Sequence, residues 1–272
     1  MTTTSGSGSS SSSAPFVRVE SHASGVAELV LDRPQAMNAV STQVAAELAD
    51  HTARLAADRT VRVVVVTSTS ERAFCVGADL KERNSLSDEG LRQHREVSRG
   101  AYGGVLHLPV PTIAAVNGFA LGGGCEIALS CDLVVAERQA VLGLPEVSVG
   151  VIPGGGGTQL LTRRLGWSRA ADLIFTARRV DADEAYRLGL VDRVVEQGRA
   201  RESALELAAT IASNSPVGVR NAKRAMRRGM DVDLAAGLDI EDGAWRATAF
   251  SQDRAEGVRA FVEKRRPEWP GL

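Results

Sequence analysis

A run of β-branched residues, VRVVVVT at positions 61–67, limits the fold of this 272-residue chain more than any other segment. An apolar run of this length and composition predicts a buried strand. Similar strand-like segments, separated by helical patterns or glycine-rich turns, lie at 17–20, 26–31, 112–116, 133–136 and 190–195. This alternation predicts an α/β layered fold.

The two ends of the chain differ from this middle part. Residues 1–14 are rich in Ser, Thr and Gly and lack the features of a secretory or mitochondrial leader, so we expect them to be disordered. From about residue 201 the strand signals stop and a helical pattern takes over. We therefore divide the chain into a tail (1–14), an α/β core (15–200) and a helical region (201–272). That last region either folds back on the core or docks on another subunit.

Composition narrows the classes of function. Hydrophobic residues make up 44% of the chain, enough for a substantial core. A net charge of −1 gives no long-range field for nucleic acid or an anionic membrane, and no apolar run approaches the roughly 20 residues that span a bilayer. Cys75, Cys125 and Cys131 form neither an even disulfide framework nor a metal-type pair. These features favour a soluble protein of a reducing cytoplasm.

Gly122, Gly123 and Gly124 lie between a strand-like and a helix-like segment. Glycines at such a turn let backbone N–H groups approach a ligand at a helix N-terminus, where negative charge is favoured. The turn is therefore a candidate oxyanion cradle. The alternative is a tight turn without a ligand.

Two carboxylates follow this turn. Glu126 falls in the first turn of the predicted helix, and Glu146 follows a second strand-like stretch. Two carboxylates that flank one site can divide general-base and general-acid work. Alternatively, Glu126 complements the helix dipole and Glu146 is a solvated loop charge.

The segment AFCVGADLKER, at 73–83, follows the apolar run. Small residues at Gly77 and Ala78 permit close backbone approach, so the Ala78 N–H is a candidate second oxyanion donor, and Lys81 or Arg83 is placed to meet a phosphate. The alternative is a loop that enters a helix, with Asp79 as the N-cap and both cations on a solvated face.

Neither the second glycine run nor the histidines indicate a cofactor. The segment PGGGGT, at 153–158, lacks the Lys-Ser/Thr ending of a P-loop, so we interpret it as backbone freedom before a helix. The histidines are scattered without ligand spacing, which is typical of surface or loosely packed residues. We predict no metal site and no cofactor. The four histidines are His22, His51, His94 and His107.

In this order, the motifs resemble those of the crotonase (enoyl-CoA hydratase/isomerase) family. The matching segments are LDRP (31–34), MNA (37–39), FCVGADLKE (74–82), PTIAAVNGFALGGGCE (111–126), LGLPE (142–146), IPGGGGTQ (152–159) and EGVRAFVEK (256–264). The resemblance covers essentially all of the chain after the Ser-rich tail. It implies a superhelix of ββα units followed by helices that build trimers, often paired into hexamers.

The resemblance also implies the site and the reaction. The two oxyanion amides fall on Ala78 and Gly123, and the two hydratase glutamates on Glu126 and Glu146. Coenzyme A arrives as part of the substrate. Its expected contacts are Ala36, Gly77, Ala78, Asp79, Leu80, Lys81, Gly122 and Gly123, with Lys264 and Trp269 near the adenine or in ordinary tail packing.

The expected function is enoyl-CoA hydration, and three alternatives remain. Segments 74–83, 152–159 and 229–238 look like the branch that contains methylglutaconyl-CoA hydratases. Double-bond isomerisation is a second alternative, which the presence of both glutamates disfavours. A non-catalytic, RNA-binding oligomer is the third, and the near-neutral charge disfavours it, so we predict no nucleic-acid partner.

Overall fold

A computed structural model describes residues 14–272, so nearly all of the predicted tail lies outside the described residues. The strands are β1 Val17–Ser21, β2 Val26–Leu31, β3 Val63–Ser68, β4 Ala73–Cys75, β5 Thr112–Val116, β6 Phe119–Leu121, β7 Leu133–Glu137, β8 Val141–Gly143, β9 Val180–Asp181 and β10 Arg193–Val195. The helices are α1 Thr42–Ala57, α2 Leu80–Ser85, α3 Asp88–Leu106, α4 Gly123–Ser130, α5 Gly157–Leu165, α6 Trp167–Thr176, α7 Ala182–Leu188, α8 Ala200–Ala212, α9 Pro216–Gly229, α10 Leu234–Ala249 and α11 Gln252–Glu263. Short 3-10 helices occupy Ala23–Gly25, Pro34–Ala36 and Glu146–Val149.

The strands form two sheets. One has the order β1-β2-β3-β5-β7-β10 and is parallel except for β1, and the other has the order β4-β6-β8-β9 and is parallel except for β9. Each of the pairs β3–β4, β5–β6 and β7–β8 sends its first strand to the first sheet and its second strand to the other. This is the predicted arrangement of ββα units.

All six predicted strands are present, and together they make up the six-stranded sheet. The sequence interpretation missed the four strands of the second sheet. Each of these is only two or three residues long and borders a turn, so none shows a hydrophobic period of its own.

The apolar run predicted as a strand is β3, and both of its faces are covered. Val64 and Val66 face the main core, whereas Val63 and Val65 face α8. Helix α8 presents small side chains every four residues, which lets it pack closely on the sheet. These are Ala200, Ala204, Ala208 and Ala212, all buried.

Helix α8, the first of the predicted helical region, therefore packs on the sheet of the core. The next helix is attached by a half-buried charge cluster, in which Asp132 accepts from Lys223 Nζ at 2.7 Å and from Arg227 at 2.8 Å. Lys223 Nζ also donates to the Val110 carbonyl oxygen. The division between core and helical region at residue 201 remains a prediction.

The last three helices expose many large apolar side chains. Phe250 is 89% exposed and Met226 is 71% exposed, with Leu234, Trp245 and Phe261 similarly open. An apolar groove of about 530 Å³ runs between α9 and α10. Within residues 14–272, no helix combines the length and hydropathy needed to cross a bilayer.

Candidate active site

The candidate site begins with a left-handed residue, Gly77, which follows β4 with φ +87°. A Cβ atom at this position would lie 2.8 Å from the Leu121 carbonyl oxygen and 2.9 Å from the Gly123 nitrogen. Only glycine allows this approach, since other residues would collide with backbone atoms. The predicted oxyanion loop at Gly77 and Ala78 therefore lies directly against the glycine turn at 122–124.

A strained turn at Met37 and Asn38 holds the Gly77 loop through hydrogen bonds. Met37 and Asn38 are both left-handed, with φ 49° and 55°. The Met37 carbonyl accepts from Val76 N at 3.2 Å, and Val40 N donates to the Gly77 carbonyl at 2.7 Å. Asn38 Nδ2 donates to the Phe74 carbonyl at 3.0 Å. Backbone strain at such positions persists only where the surroundings enforce it, as these bonds do.

The glycine turn follows β6 and opens α4 at Gly123. Gly122 has φ +52°. A Cβ on Gly124 would lie 1.9 Å from the Cys75 carbonyl oxygen, so the turn packs directly against β4. Among the described residues, no acceptor takes the backbone N–H of Ala78 or of Gly123. These two unused donors lie on adjoining loops.

Glu126 lies in the first turn of α4 and is 2% exposed. Its Oε1 accepts from Gly155 N at 2.6 Å and from Gly157 N at 2.8 Å. Burial raises the pKa of Glu126, and the two backbone donors oppose that rise. The carboxylate is therefore held through Oε1, and Oε2 can accept a further hydrogen bond.

Glu146 begins a 3-10 helix that borders the glycine turn. Its Oε1 lies 3.1 Å from where a Cβ on Gly122 would be, and its Oε2 is buried without a partner among residues 14–272. Burial, with a smaller contribution from the Glu126 charge, raises the pKa of Glu146 to about 7. The structure therefore does not support the alternative of a solvated loop charge.

The run at 153–158 has a role that the sequence interpretation missed. Gly155 and Gly157 supply the N–H groups that hold Glu126, in addition to leading into α5. A Cβ on Gly155 would lie 2.7 Å from the Tyr102 ring and 2.8 Å from Glu126 Oε2. Glycine is required for contact with the carboxylate. Two glycines spaced to donate to a buried glutamate leave no signal in sequence without the fold.

The remaining predicted contacts surround these two loops. Ala36 ends the 3-10 helix before Met37 and is half-buried, and Leu80 and Lys81 are exposed. The Asp79 side chain is the predicted N-cap of α2, accepting from Lys81 N and Glu82 N. It also pairs with Arg33 at 2.7 Å.

The C-terminal aromatic residue considered for the adenine is engaged elsewhere. Trp269 Nε1 donates to the Ser213 carbonyl at 2.8 Å, and its ring packs over Gly257. Within its own chain, Trp269 therefore takes part in tail packing, which is the second of its two predicted roles. Lys264 is an exposed, left-handed residue at the end of α11.

One histidine differs from its expected environment. His94 is 4% exposed, so the prediction of a surface or loosely packed residue was wrong for it. It lies on the buried face of α3, a pattern obscured by the polar residues around it in sequence. His22 lies beside Glu20 and Glu28, but the Glu28 carboxylate is already bound by Arg201 at 2.7 Å through each oxygen. That cluster is an ion-pair network joining α8 to the sheet.

Solved structures share this fold. A crystal structure of enoyl-CoA hydratase from Bacillus anthracis superposes with a TM-score of 0.92 at 42% identity, covering 94% of this chain and 100% of that one. The architecture is therefore the crotonase fold, as predicted. The chain belongs to the enoyl-CoA hydratase/isomerase family, whose model matches residues 21–271.

Two mouse proteins illustrate the range of relatives. Enoyl-CoA hydratase domain-containing protein 2, mitochondrial, is 45% identical over 251 residues, spanning 91% of this chain and 85% of that protein. Methylglutaconyl-CoA hydratase, mitochondrial, is 42% identical over 251 residues, spanning 91% and 80%. The predicted enzyme class, a lyase of the enoyl-CoA hydratase type, is confirmed. The two mouse proteins are similarly distant from this chain.

Proposed function

We propose that the chain catalyses the reversible syn addition of water to a 2,3-unsaturated acyl-CoA thioester. One observation carries the proposal: two glutamates in unlike environments flank two adjoining loops with unused backbone donors. Hydration needs both halves of this arrangement, since charge develops on the thioester oxygen while a proton is delivered to carbon.

The donors at Ala78 and Gly123 meet the thioester oxygen. As the water oxygen bonds to C3, negative charge moves onto that oxygen, and donors that are already in place lower the barrier. Glu126 holds and activates the water through Oε2, because Oε1 is occupied by the glycine loop. Glu146, with its pKa raised to about 7 mainly by burial, delivers the proton to C2.

Coenzyme A enters as part of the substrate and no redox cofactor or metal takes part. Its pantetheine runs along the backbone from Gly77 to Leu80, beside Ala36 and Gly122, which places the thioester at the two donors. Lys81 is exposed next to this path and meets a phosphate.

The protein assembles as a homotrimer, or as a hexamer of two trimers. The support is the exposed apolar surface of α9–α11, which includes residues more than two-thirds exposed such as Met226 and Phe261. Such a surface is buried in oligomers. The cytoplasm remains our proposed location, although several relatives are named as mitochondrial.

Loss of absorbance at the enoyl-thioester band, measured on a panel of acyl-CoAs, tests the reaction. The panel includes crotonyl-CoA for plain hydration and methylglutaconyl-CoA for the leucine-catabolic alternative. A 3-enoyl-CoA tests isomerisation, which would give a gain of absorbance at the same band because the double bond moves into conjugation with the thioester. Hydration of at least one 2-enoyl-CoA with water at C3 is expected. Isomerisation without hydration would contradict the proposal. Light scattering of the same sample tests the oligomer.

A further inference from the structure

Arg33 links the segment after β2 to the segment that carries Ala78. Its side chain is 20% exposed, and its guanidinium lies over the Phe16 ring, with 5.3 Å from Cζ to the ring centre. Nη1 donates to the Ala39 carbonyl oxygen at 2.9 Å and to Asp79 Oδ2 at 2.7 Å. One guanidinium therefore joins two segments that are distant in sequence.

The main chain of Arg33 also closes the strained turn at Met37 and Asn38. Arg33 N donates to Asn38 Oδ1 at 2.8 Å, and the Arg33 carbonyl oxygen accepts from Asn38 N at 3.0 Å. The side-chain bond to the Ala39 carbonyl spans the same turn. Arg33 therefore fixes both the shape of this turn and its attachment to Asp79.

Asp79 directly follows Ala78, the candidate oxyanion donor. Its Oδ1 accepts from Lys81 N at 3.1 Å and from Glu82 N at 3.2 Å, whereas its Oδ2 accepts from Arg33. Burial favours the neutral acid, but the Arg33 bond and the two backbone donors outweigh it, so the pKa of Asp79 lies below its ordinary value. The residue next to Ala78 is therefore held through both carboxylate oxygens.

The turn that Arg33 closes also sets the direction of the Ala78 N–H. Val40 N donates to the Gly77 carbonyl at 2.7 Å, and Asp79 N donates to the Val40 carbonyl at 3.0 Å, so Val40 pairs with both sides of Ala78. In a planar trans peptide the C=O and the N–H point in opposite directions. Because Val40 binds the Gly77 carbonyl, the Ala78 N–H of the same peptide points away from Val40. A shift of this turn against Asp79 would tilt that N–H.

We propose that Arg33 is a positioning residue for the oxyanion hole, which fixes the direction of the Ala78 N–H by holding the turn at 37–40 against Asp79. The inference rests on the proposed hydration reaction and goes beyond it, since Arg33 acts on the loop and not on the substrate. Stabilisation of a developing charge depends on the placement of its donors, so a tilted donor raises the barrier to hydration more than it weakens substrate binding. Loss of Arg33 should therefore lower kcat and leave KM nearly unchanged.

Arg33→Met tests the role, because it removes the guanidinium and keeps much of the side-chain bulk. On crotonyl-CoA, kcat should fall about 10- to 100-fold with KM within threefold of wild type. Arg33→Lys keeps the charge without the planar fork, so it should recover part of the loss.

A second readout reports on the oxyanion hole itself. The infrared C=O stretch of the saturated analogue butyryl-CoA, labelled with carbon-13 at the thioester carbon, falls in frequency when hydrogen-bond donors draw charge onto the oxygen. In wild-type protein the bound ligand should show this fall. In Arg33→Met the frequency should return at least halfway to that of the free ligand, whereas a purely structural role would leave it unchanged.

The matched control is Arg164, whose side chain is 19% exposed. It likewise donates to one carboxylate and one carbonyl, those of Asp192 at 2.5 Å and Gly189 at 2.9 Å. It lies near the end of α5, and the 153–158 loop lies at the start of that helix. Arg164→Met should lower the urea midpoint, as Arg33→Met does, but keep the wild-type C=O stretch and a kcat within threefold of wild type.

If Arg33→Met does not fold, Asp79→Asn replaces it, because Asn caps a helix as well as Asp and only the charged bond to Arg33 is lost. Asp79→Asn should lower kcat about 3- to 30-fold and shift the C=O stretch in the same direction. Wild-type kcat and C=O stretch in either variant would overturn the proposal. A rise in KM with unchanged kcat would also overturn it, since that would indicate a phosphate contact. Wild-type protein that binds butyryl-CoA but hydrates no 2-enoyl-CoA would instead reject the proposed reaction, and the C=O stretch would still decide the role of Arg33.

Discussion

Glu126 and Glu146 border the same glycine turn, but their surroundings differ. Glu126 Oε1 accepts hydrogen bonds from two backbone N–H groups of the 153–158 loop, at 2.6 and 2.8 Å. Glu146 has a buried oxygen with no partner among the described residues. Burial raises the pKa of both. Two backbone N–H groups of another loop oppose that rise at Glu126, whereas at Glu146 the only backbone donor is its own N–H.

Local backbone contacts, together with burial, therefore distinguish the two proposed roles. A carboxylate that accepts two N–H bonds is oriented and suited to hold water as a base. A buried carboxyl group that accepts only from its own backbone N–H, as Glu146 does, keeps its proton near neutral pH and suits an acid. The difference between the surroundings of the two glutamates therefore depends on the 153–158 loop and on the burial of Glu146.

The largest effect should come from neutralising either carboxylate. Glu126→Gln and Glu146→Gln keep the shape of the side chain and remove the titrating group, so each should lower kcat on crotonyl-CoA about 100- to 10,000-fold. Binding of the saturated analogue butyryl-CoA, followed by calorimetry, should stay within a few-fold of wild type. Turnover within a few-fold of wild type in both variants would reject the paired-acid mechanism.

A smaller effect should follow from disturbing the loop that holds Glu126. In Gly155→Ala the new methyl would lie within 3 Å of both the Tyr102 ring and Glu126 Oε2. We expect a loss of about 10- to 100-fold in kcat and roughly 1–3 kcal/mol in the free energy of unfolding, measured by urea denaturation.

The control for Gly155 is Gly100, in the middle of α3. The nearest atom to a Cβ there is the Ala49 methyl at 3.8 Å, so Gly100→Ala should stabilise the protein by about 0.5–1 kcal/mol with unchanged kcat. Equal kcat in the two variants would show that the loop does not orient Glu126.

Five strands of the six-stranded sheet have five or six residues, enough to show β-branched or buried runs, as β3 does, and the three-residue β10 lies within the longer segment predicted at 190–195. The second sheet was not predictable, since the two-residue β9 and the three-residue β6 have no period to detect. The family motifs identified Ala78, Gly123, Glu126 and Glu146 as one site. The fold places the segments that carry them around one turn.

What sequence reasoning missed depends on contacts between distant segments. The donation from Gly155 and Gly157 to Glu126 joins residues about thirty positions apart. The burial of His94 depends on which face of α3 meets the core, and the Arg and Glu residues around it suggest a solvated helix. Neither feature is encoded by local propensity.

The pH dependence should come mainly from Glu146. Its pKa of about 7 lies above its ordinary value of 4.5, so the acid form is lost as pH rises through 7. Hydration kcat/KM should fall about tenfold between pH 7.5 and 8.5, and the residual activity of Glu146→Gln should lack this limb. A flat wild-type profile over that range would contradict the acid role.

The raised pKa of Glu146 also makes the stability of the protein depend on pH. The native state binds the Glu146 proton more tightly than the unfolded chain, so the resulting stabilisation is full below pH 4.5 and is lost as pH rises through 7. Glu146→Gln should therefore be more stable than wild type at pH 8, on the order of 1 kcal/mol after allowance for solvent screening. Tm measured at pH 5 should show a smaller difference.

The smallest effect should come from Arg95, a cation near the glycine loop. A Cβ on Gly154 would lie 3.0 Å from the Arg95 guanidinium, whose charge opposes the rise in the Glu126 pKa that burial causes. Because Arg95 is exposed and Glu126 is held by two backbone donors, Arg95→Gln should lower kcat no more than about threefold. Steady-state assays at 50 and 500 mM salt check this, and high salt should remove the difference. A loss above tenfold that persists in high salt would mean that a side-chain charge, and not the backbone, keeps Glu126 ionised.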